Sequence, residues 1–292
     1  MSVGYQQLIE ATIQHLEDLK AQGARFINLS PETLEGFASP LGQPSGGTAD
    51  VSGRPQAVSP PTQSAPRSSP VAEASASSAP APLHRDAKET AMAGLRARAM
   101  VCQKCPQLAA SRKNVVFGVG DIHSPLMFVG EAPGADEDEQ GEPFVGKAGQ
   151  LLTKIVQTMG FTRDTVYIAN ILKCRPDTPG QAVGNRKPTA GEMKTCLPYL
   201  LAQLDIIQPK VIVALGATAV EGLLGETGGI TRLRGHWREF RGVPVMPTFH
   251  PAYLLRNEAL SEKRKVWEDM LQVLQRLGRP VSEKQRNYFL KA

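Results

Sequence analysis

Apolar runs and amphipathic stretches alternate along this chain from about residue 85 onward. Short runs of β-branched and aliphatic residues predict strands at Val115–Phe117, Leu126–Val129, Val166–Asn170, Val211–Leu215 and Val243–Thr248. Apolar positions three and four residues apart predict helices near Arg85–Met100, Gly146–Met159, Ala190–Ile207, Ala217–Leu224 and Glu262–Leu277. Such alternation is typical of a parallel sheet with helices on both faces. We therefore predict an α/β fold, a three-layer α/β/α sandwich around a central, mostly parallel sheet of four to five strands.

The first 84 residues have a different pattern. Tyr5 to Lys20 carries apolar residues at helical spacing and predicts one amphipathic helix. Pro40 to Leu83 is rich in Ser, Pro and Ala and poor in large apolar residues, so it cannot recover its ordering entropy by burial. We predict an N-terminal helix (1–25), a disordered linker (26–84), a catalytic domain (85–280) and a C-terminal tail (281–292).

Composition limits the classes of function. The formal charge of +5 and pI of about 9.0 suit a polyanionic partner, although a surplus of lysine and arginine also serves solubility. No run approaches the ~18 apolar residues of a transmembrane helix, and the N-terminus has no apolar core typical of a secretory signal. Four cysteines in 292 residues do not suggest a disulfide scaffold. We expect a protein of the reducing cytoplasm with no membrane association.

Two predicted strands end in polar residues of catalytic type. The strand at Leu126 runs into a loop rich in glycine and acid, which contains Glu131 and Glu137. The strand at Val243 is followed by His250, a proline and a helix start. A solvated loop after a tight turn is the alternative for the first segment. Because ligands of open α/β sheets bind at the carboxyl ends of the strands, the two segments together favour one crevice.

All four cysteines are candidates for a metal centre. Cys102 and Cys105 form a C-x-x-C pair, and the fold would have to add Cys174 and Cys196. Spacing alone leaves three alternatives: a [4Fe-4S] cluster, a structural zinc ion, or cysteines that bind no metal.

Three motifs carry a family resemblance. GEAPGADEDEQGEPFVGKAGQLL from Gly130, YIANILKCRP from Tyr167 and HPAYLLRN from His250 resemble the family 4 uracil-DNA glycosylases, the iron-sulfur branch of their superfamily. The resemblance covers roughly residues 100–277. It implies a monofunctional hydrolase of base excision repair that flips deoxyuridine out of DNA and leaves an abasic site. It also implies a [4Fe-4S] cluster on the four cysteines, although Asp177 to Val183 resembles an insertion that lengthens the gap before Cys196.

The resemblance assigns three residues to the base. Phe144 resembles the stacking residue, Asn170 the residue that pairs with the uracil edge, and His250 the histidine that stabilises negative charge on the leaving base. An ordinary core aromatic, a turn former and a structural histidine are the respective alternatives. The amide of Asn170 offers both a donor and an acceptor, and so can reject cytosine.

Glu131 and Glu137 are the carboxylates expected to position water or to steady positive charge on the sugar. Ala132 stands where some related families carry a water-activating aspartate, which weakens the case for base catalysis there. Gly134 stands where the best-known family has a bulky residue that excludes the thymine methyl group. We expect Glu137 to take over that exclusion.

DNA contacts are expected from the segment after His250. Leu254 and Leu255 would wedge into the space left by the extruded base, and Arg256 would meet a phosphate; two core leucines at a helix start are the alternative. A second basic surface is predicted around Trp237, with a solvated charged turn as its alternative; it comprises Arg232, Arg234, Arg238 and Arg241.

The expected partners follow from this function. We expect a monomer that binds uracil-containing DNA, single- or double-stranded, with a protein partner for the N-terminal helix. Two rival functions stay open: a glycosylase of altered base preference, such as hypoxanthine, and a uracil-recognising DNA-binding or cross-linking relative with weak turnover.

Overall fold

The computed structural model describes residues 85–177 and 185–290. The predicted N-terminal helix and linker lie outside the described residues, as do residues 178–183 of the predicted insertion. None of the described helices is both long and apolar enough to cross a membrane.

The described chain contains six strands and ten α-helices. The strands are β1 (Val119–Gly120), β2 (Leu126–Gly130), β3 (Tyr167–Asn170), β4 (Val211–Leu215), β5 (Arg238–Phe240) and β6 (Val243–Thr248). The first helices are α1 (Arg85–Met100), α2 (Pro106–Ser111), α3 (Ala135–Gln140), α4 (Lys147–Thr158) and α5 (Ala190–Ile207). The remaining helices are α6 (Ala217–Leu224), α7 (Ile230–Leu233), α8 (Pro251–Arg256), α9 (Leu260–Arg276) and α10 (Glu283–Arg286).

The strands form one sheet in the order β1-β3-β2-β4-β6-β5. The four central strands are parallel, and the edge strands β1 and β5 pair antiparallel with β3 and β6. The sheet thus has six strands where we predicted four to five. The missed strand β5 has only three residues, and none of them is fully buried, so it carries no apolar run.

The predicted strand at Val115–Phe117 is wrong. All three residues are buried, but the ladder begins only at Val119, where it pairs with Ile168. The backbone N–H of Val116 instead donates to the carbonyl of Lys173, just after β3. An apolar run of this length satisfies core packing without belonging to a sheet.

Two apolar cores confirm the three-layer architecture. Along β2, Met127 and Val129 face one core while Leu126 and Phe128 face the other, as the strand period of two requires. The first core also includes residues of α1, α5 and α6, and the second includes residues of α4 and α9. The sheet is therefore covered by helices on both faces.

The chain leaves β2 toward β3 on one side and later returns to β4 on the other. In doubly wound sheets such a reversal opens a crevice at the carboxyl ends of the strands. Gly130, Asn170 and Gly216 lie at these ends, and His250 follows β6 by two residues.

The residues after α9 pack against the domain. Trp267 donates from its indole nitrogen to the carbonyl of Gln285 at 2.5 Å, and the ring of Tyr288 lies 5.5 Å from that of Trp267. The side chain of Gln285 donates to the carbonyl of Thr158 at the end of α4. The division of the full chain into domains stays a prediction.

Candidate active site

Gly130, at the end of β2, is the point where the predicted base-binding residues meet. It pairs in register with Asn170 on the neighbouring strand. A Cβ on Gly130 would clash with the Oδ1 atom of Asn170 and with the ring of Phe144. Only glycine therefore allows both side chains to approach the strand end.

Phe144 reaches this point from the loop between α3 and α4. Its φ of 56° lies in the left-handed region, which is uncommon for a residue with a bulky side chain. Arg163 donates to the carbonyls of Phe144 and Pro143 at 3.0 and 2.7 Å and so fixes this backbone. The supporting role of Arg163 was missed, because nothing in the local sequence links it to a loop twenty residues earlier.

Asn170 is almost completely buried, at 2% exposure. Its backbone carbonyl accepts a hydrogen bond from the ammonium of Lys173 at 3.0 Å. Its side-chain Oδ1 is buried and finds no hydrogen-bond partner within residues 85–177 and 185–290. Because an unpaired buried acceptor costs free energy, this amide is suited to a ligand that supplies a donor.

His250 caps the start of α8. Its Nδ1 accepts a hydrogen bond from the backbone N–H of Ala252 at 3.2 Å, so the proton of the neutral ring lies on Nε2. The imidazole is 5.6 Å from the ring of Phe144, centre to centre. Burial, with a smaller effect of the positive charge on Arg256, lowers the pKa of His250 to about 4. The ring is therefore neutral at pH 7 and presents one N–H donor.

A buried ion pair supports the end of β6. Asp269 of α9 is fully buried, pairs with Arg234 and accepts a hydrogen bond from the hydroxyl of Thr248 at 2.6 Å. The guanidinium of Arg234 also lies 5.7 Å from the ring centre of Phe249. Thr248 and Phe249 immediately precede His250, so this network fixes the backbone from which the imidazole projects. The sequence signal for Asp269 was an acid between apolar residues on the buried face of a helix.

The basic surface around Trp237 stays a prediction, but three of its four arginines have acidic partners. Arg234 is committed to Asp269, Arg238 pairs with Glu226, and Arg241 pairs with Asp205. The acidic partners lie 12 or more residues away in the sequence, so the local sequence pattern does not predict these ion pairs. Arg232 is exposed.

The two predicted carboxylates have different surroundings. Glu137 accepts backbone hydrogen bonds from Gly134, Val145 and Gly146 at 2.9 to 3.1 Å, so it fixes the shape of the loop that carries Phe144. Its Oε2 lies 2.7 Å from the position of a Cβ on Gly134. Glu131 directly follows β2 and is partly exposed.

The predicted DNA wedge is only partly available. Leu254 is 4% exposed and belongs to a small core with Phe249 and Val266, so it is a core residue and not a free wedge. The helical turn that buries Leu254 directs Leu255 outward, at 41% exposure, and Arg256 is also exposed.

The four cysteines line one small cavity of about 20 Å³ between α2, the segment after β3 and α5. Arg112 donates to the sulfur of Cys174 at 3.1 Å, and the backbone N–H of Lys173 donates to the sulfur of Cys196 at 3.2 Å. Burial raises the pKa of Cys105 and Cys174, and that of Cys196 to about 11. Within the described part of the chain, no three His, Cys, Asp or Glu side chains are placed to hold a single metal ion.

This chain is similar in sequence to known proteins. Residues 117–271 match the family model of the uracil DNA glycosylase superfamily. The chain is 45% identical over 185 residues to a type-4 uracil-DNA glycosylase of Thermotoga maritima. This match covers 63% of this chain and 93% of that protein. It is 40% identical over 198 residues to a type-4 uracil-DNA glycosylase of Sulfurisphaera tokodaii, covering 65% and 86% of the two chains. A type-4 enzyme of Archaeoglobus fulgidus is 42% identical over 172 residues, covering 56% and 83%.

The match includes the strand ends that carry Asn170 and His250 and the loop that carries Phe144. This chain therefore belongs to the uracil-DNA glycosylase superfamily and, within it, to the type-4 family.

Proposed function

We propose that this protein hydrolyses the N-glycosidic bond of deoxyuridine in DNA, releases uracil and leaves an abasic site. The observation that carries the proposal is the meeting of Phe144 and Asn170 at Gly130, with the ring of His250 5.6 Å from that of Phe144 and with a buried Asn170 amide oxygen that lacks a partner among the described residues. The names of the type-4 relatives support the same activity.

Base recognition requires the nucleotide to leave the stack. The extruded uracil stacks on Phe144, and its Watson–Crick edge meets Asn170. The Oδ1 of Asn170 accepts the N3–H of uracil, and the Nδ2 group donates to O4. Cytosine has an acceptor at N3 and a donor at its exocyclic amine. In the same amide orientation, acceptor would face acceptor and donor would face donor, so cytosine is rejected.

His250 acts on the leaving group. As the bond from N1 to C1′ breaks, its electron pair passes to uracil and negative charge develops on the O2 atom. The Nε2–H of neutral His250 donates to this oxygen in a water-poor pocket, where such a bond counts for more than in water. The tautomer follows from the hydrogen bond that Nδ1 accepts.

Glu131 is the carboxylate proposed to face the sugar. Positive charge develops on the sugar ring as the base departs, water then adds to C1′, and the proton that the water loses passes through solvent to the uracil anion. The oxygens of Glu137 already accept three backbone hydrogen bonds, which favours a role in shaping the loop. In that position Glu137 also fills the space beside Gly134, where we propose that it excludes the methyl group of thymine.

Contact with DNA is assigned to the exposed part of α8. Leu255 enters the space left by the extruded base, and Arg256 meets a phosphate. Both side chains are exposed and lie within six residues of His250. Single- and double-stranded DNA are both proposed substrates.

The cysteine cavity is proposed to hold a [4Fe-4S] cluster on Cys102, Cys105, Cys174 and Cys196. Four cysteine side chains line one cavity, and Arg112 and the backbone N–H of Lys173 donate to two of the sulfurs, those of Cys174 and Cys196. This donor set fits a thiolate-bound cluster. When bound, the cluster would cross-link α2, the segment after β3 and α5.

Metal analysis tests this assignment. The purified protein is expected to be brown and to contain about four irons per chain, with broad visible absorbance that bleaches on reduction. Zinc without iron after anaerobic preparation would overturn the cluster assignment.

We also propose a reducing cytoplasm as the compartment, which suits free thiols. Fractionation of cells tests that proposal.

A cleavage assay tests the activity. The protein is incubated with matched single- and double-stranded oligonucleotides that carry uracil, hypoxanthine, thymine or cytosine at one position. Alkali-labile sites are expected only with uracil, over many turnovers. Excision of hypoxanthine in preference to uracil would indicate the altered-base rival, and a stoichiometric protein–DNA adduct would indicate the cross-linking rival.

Light scattering of the full chain tests the proposed monomer, and affinity capture with residues 1–25 as bait tests for a protein partner.

A further inference from the structure

Lys173 is a fully buried lysine three residues after Asn170, with 2% of its surface exposed. Its ammonium donates to the backbone carbonyl of Asn170 at 3.0 Å and to Oε1 of Gln203 at 2.6 Å. No carboxylate among the described residues forms an ion pair with it. Burying a charge is costly unless it is compensated, so packing alone does not account for a lysine here.

Gln203 cannot turn away from this lysine. Its Nε2 donates to the carbonyl of Phe117 at 3.0 Å and to the hydroxyl of Tyr167 at 2.9 Å, which leaves its oxygen directed at the ammonium. Tyr167 and Asn170 are the first and last residues of β3. The hydrogen bonds from Tyr167 through Gln203 and Lys173 to Asn170 therefore brace the strand at both ends.

The same lysine borders the cysteine cavity. Its backbone N–H donates to the sulfur of Cys196 at 3.2 Å, and Cys174 is the next residue in the chain. Thiolates in that cavity would place negative charge against the backbone of Lys173. Only three residues separate the base-reading amide of Asn170 from the first thiol after it.

We propose that Lys173 is a positioning residue for base recognition, which fixes the backbone of Asn170 and has its charge balanced by the thiolates of the cysteine cavity. The proposal rests on the role of Asn170 under the proposed function. By holding the last carbonyl of β3, the ammonium sets the angle at which the amide side chain of Asn170 meets the base.

A double-mutant cycle tests this action through Asn170. Uracil excision is measured under single-turnover conditions in wild type, Lys173→Met, Asn170→Ala and the double variant. Lys173→Met is expected to slow excision about 10- to 100-fold, the range for loss of a charge-assisted hydrogen bond. In the Asn170→Ala background the same change should slow excision by less than about twofold, because the amide that Lys173 positions is then missing.

Lys88→Met is the matched control, since Lys88 also donates to a backbone carbonyl, that of Ile207, outside the site. It is expected to retain the wild-type rate. A Lys173→Met protein that keeps its metal and excises uracil within about twofold of wild type overturns the proposal, as does an equal loss in both backgrounds. If Lys173→Met does not fold, Gln203→Met, which removes one of its two acceptors, takes its place under the same criteria.

A readout independent of uracil tests the charge balance. In the iron-loaded protein, removing the positive charge is expected to make the midpoint potential of the cluster more negative in Lys173→Met than in wild type and Lys88→Met. Equal potentials in all three overturn the pairing of Lys173 with the thiolates. A wild-type protein that excises no uracil would overturn the proposed function, while the potentials would still test the charge balance.

Discussion

His250 illustrates how a residue acquires a role from its surroundings. The sequence offers five histidines, and burial beside Phe144 with Nδ1 occupied by a backbone N–H distinguishes this one. Its pKa of about 4 means that the neutral donor persists across the physiological range. A basic group with a lowered pKa gains its proton only as the pH falls through that lower value.

We predict that His250→Ala lowers single-turnover uracil excision about 10²- to 10³-fold, as loss of an oxyanion donor does. In the wild type, titration of His250 should not reduce the rate between pH 8 and pH 5, and a loss should begin only as the pH approaches about 4. A rate profile from pH 4 to 8 measures this. An acid limb centred near the ordinary histidine value of about 6.5 would contradict the neutral-donor assignment.

Gly130 has no side chain, which leaves room for Asn170 and Phe144 at the end of β2. We predict that Gly130→Ala gives a folded protein with greatly reduced excision, because the added methyl group must displace Asn170, Phe144 or both. Gly229→Ala is the matched control: Gly229 has a φ of −60°, and beyond its chain neighbours no atom lies within 4 Å of where the added methyl group would sit. Activity and thermal stability are compared for the two variants. Equal activity in both would show that the strand end adapts.

At the scale of elements, the ion pair between α9 and the segment before β5 holds the end of β6. Asp269 is fully buried and the side chain of Arg234 is 15% exposed, so removal of either partner leaves a largely desolvated charge unpaired. The pair between Arg241 and Asp205 has the same chemistry on the surface, with both side chains more than half exposed. The two pairs therefore separate the effect of burial from that of charge.

We predict that Asp269→Ala destabilises the protein by about 3–5 kcal/mol, because it leaves a mostly buried guanidinium without its carboxylate and the Thr248 hydroxyl without its acceptor. Asp205→Ala should cost no more than about 1 kcal/mol. Denaturant unfolding of both variants provides the measurement. A small cost for Asp269→Ala would mean that the end of β6 does not depend on this network.

The elements themselves were largely predictable. The bounds that the apolar pattern predicts are confirmed for three helices and two strands, namely α1, α5, α6, β4 and β6. The short helices and the two-residue strand β1 were not predicted, since hydrogen bonds and contacts outside the segment stabilise them. The apolar run at Val115–Phe117 shows the limit of such patterns. An apolar pattern predicts which residues are buried, but not which groups their backbone N–H and C=O hydrogen-bond.

At the scale of the whole molecule, every residue proposed for the pocket, the thiolates and the DNA contact lies between Cys102 and Arg256. We predict that a chain beginning at Arg85 folds, keeps its metal and excises uracil at a rate close to that of the full chain. Steady-state excision and metal content of the two proteins provide the comparison. A shortened protein that keeps its metal but loses most activity would assign residues 1–84 to chemistry or DNA binding.

The sequence by itself determined the α/β class, the bounds of the major elements and, through three motifs, the family. These features depend on local periodicity and on short runs of residues that adjoin along the chain. It also singled out Phe144, Asn170, His250 and the cysteines, although their roles as site residues stay predictions.

Only the tertiary structure decided which polar groups are compensated and which are left for a ligand. Arg234 is neutralised by Asp269 of a later helix, Leu254 is buried against Val266, and Glu137 is engaged by backbone N–H groups, whereas the Oδ1 of Asn170 lacks a partner among the described residues. The reason is physical: hydrogen bonds, burial and ion pairing depend on distances between residues far apart in the chain, and a local pattern does not contain those distances.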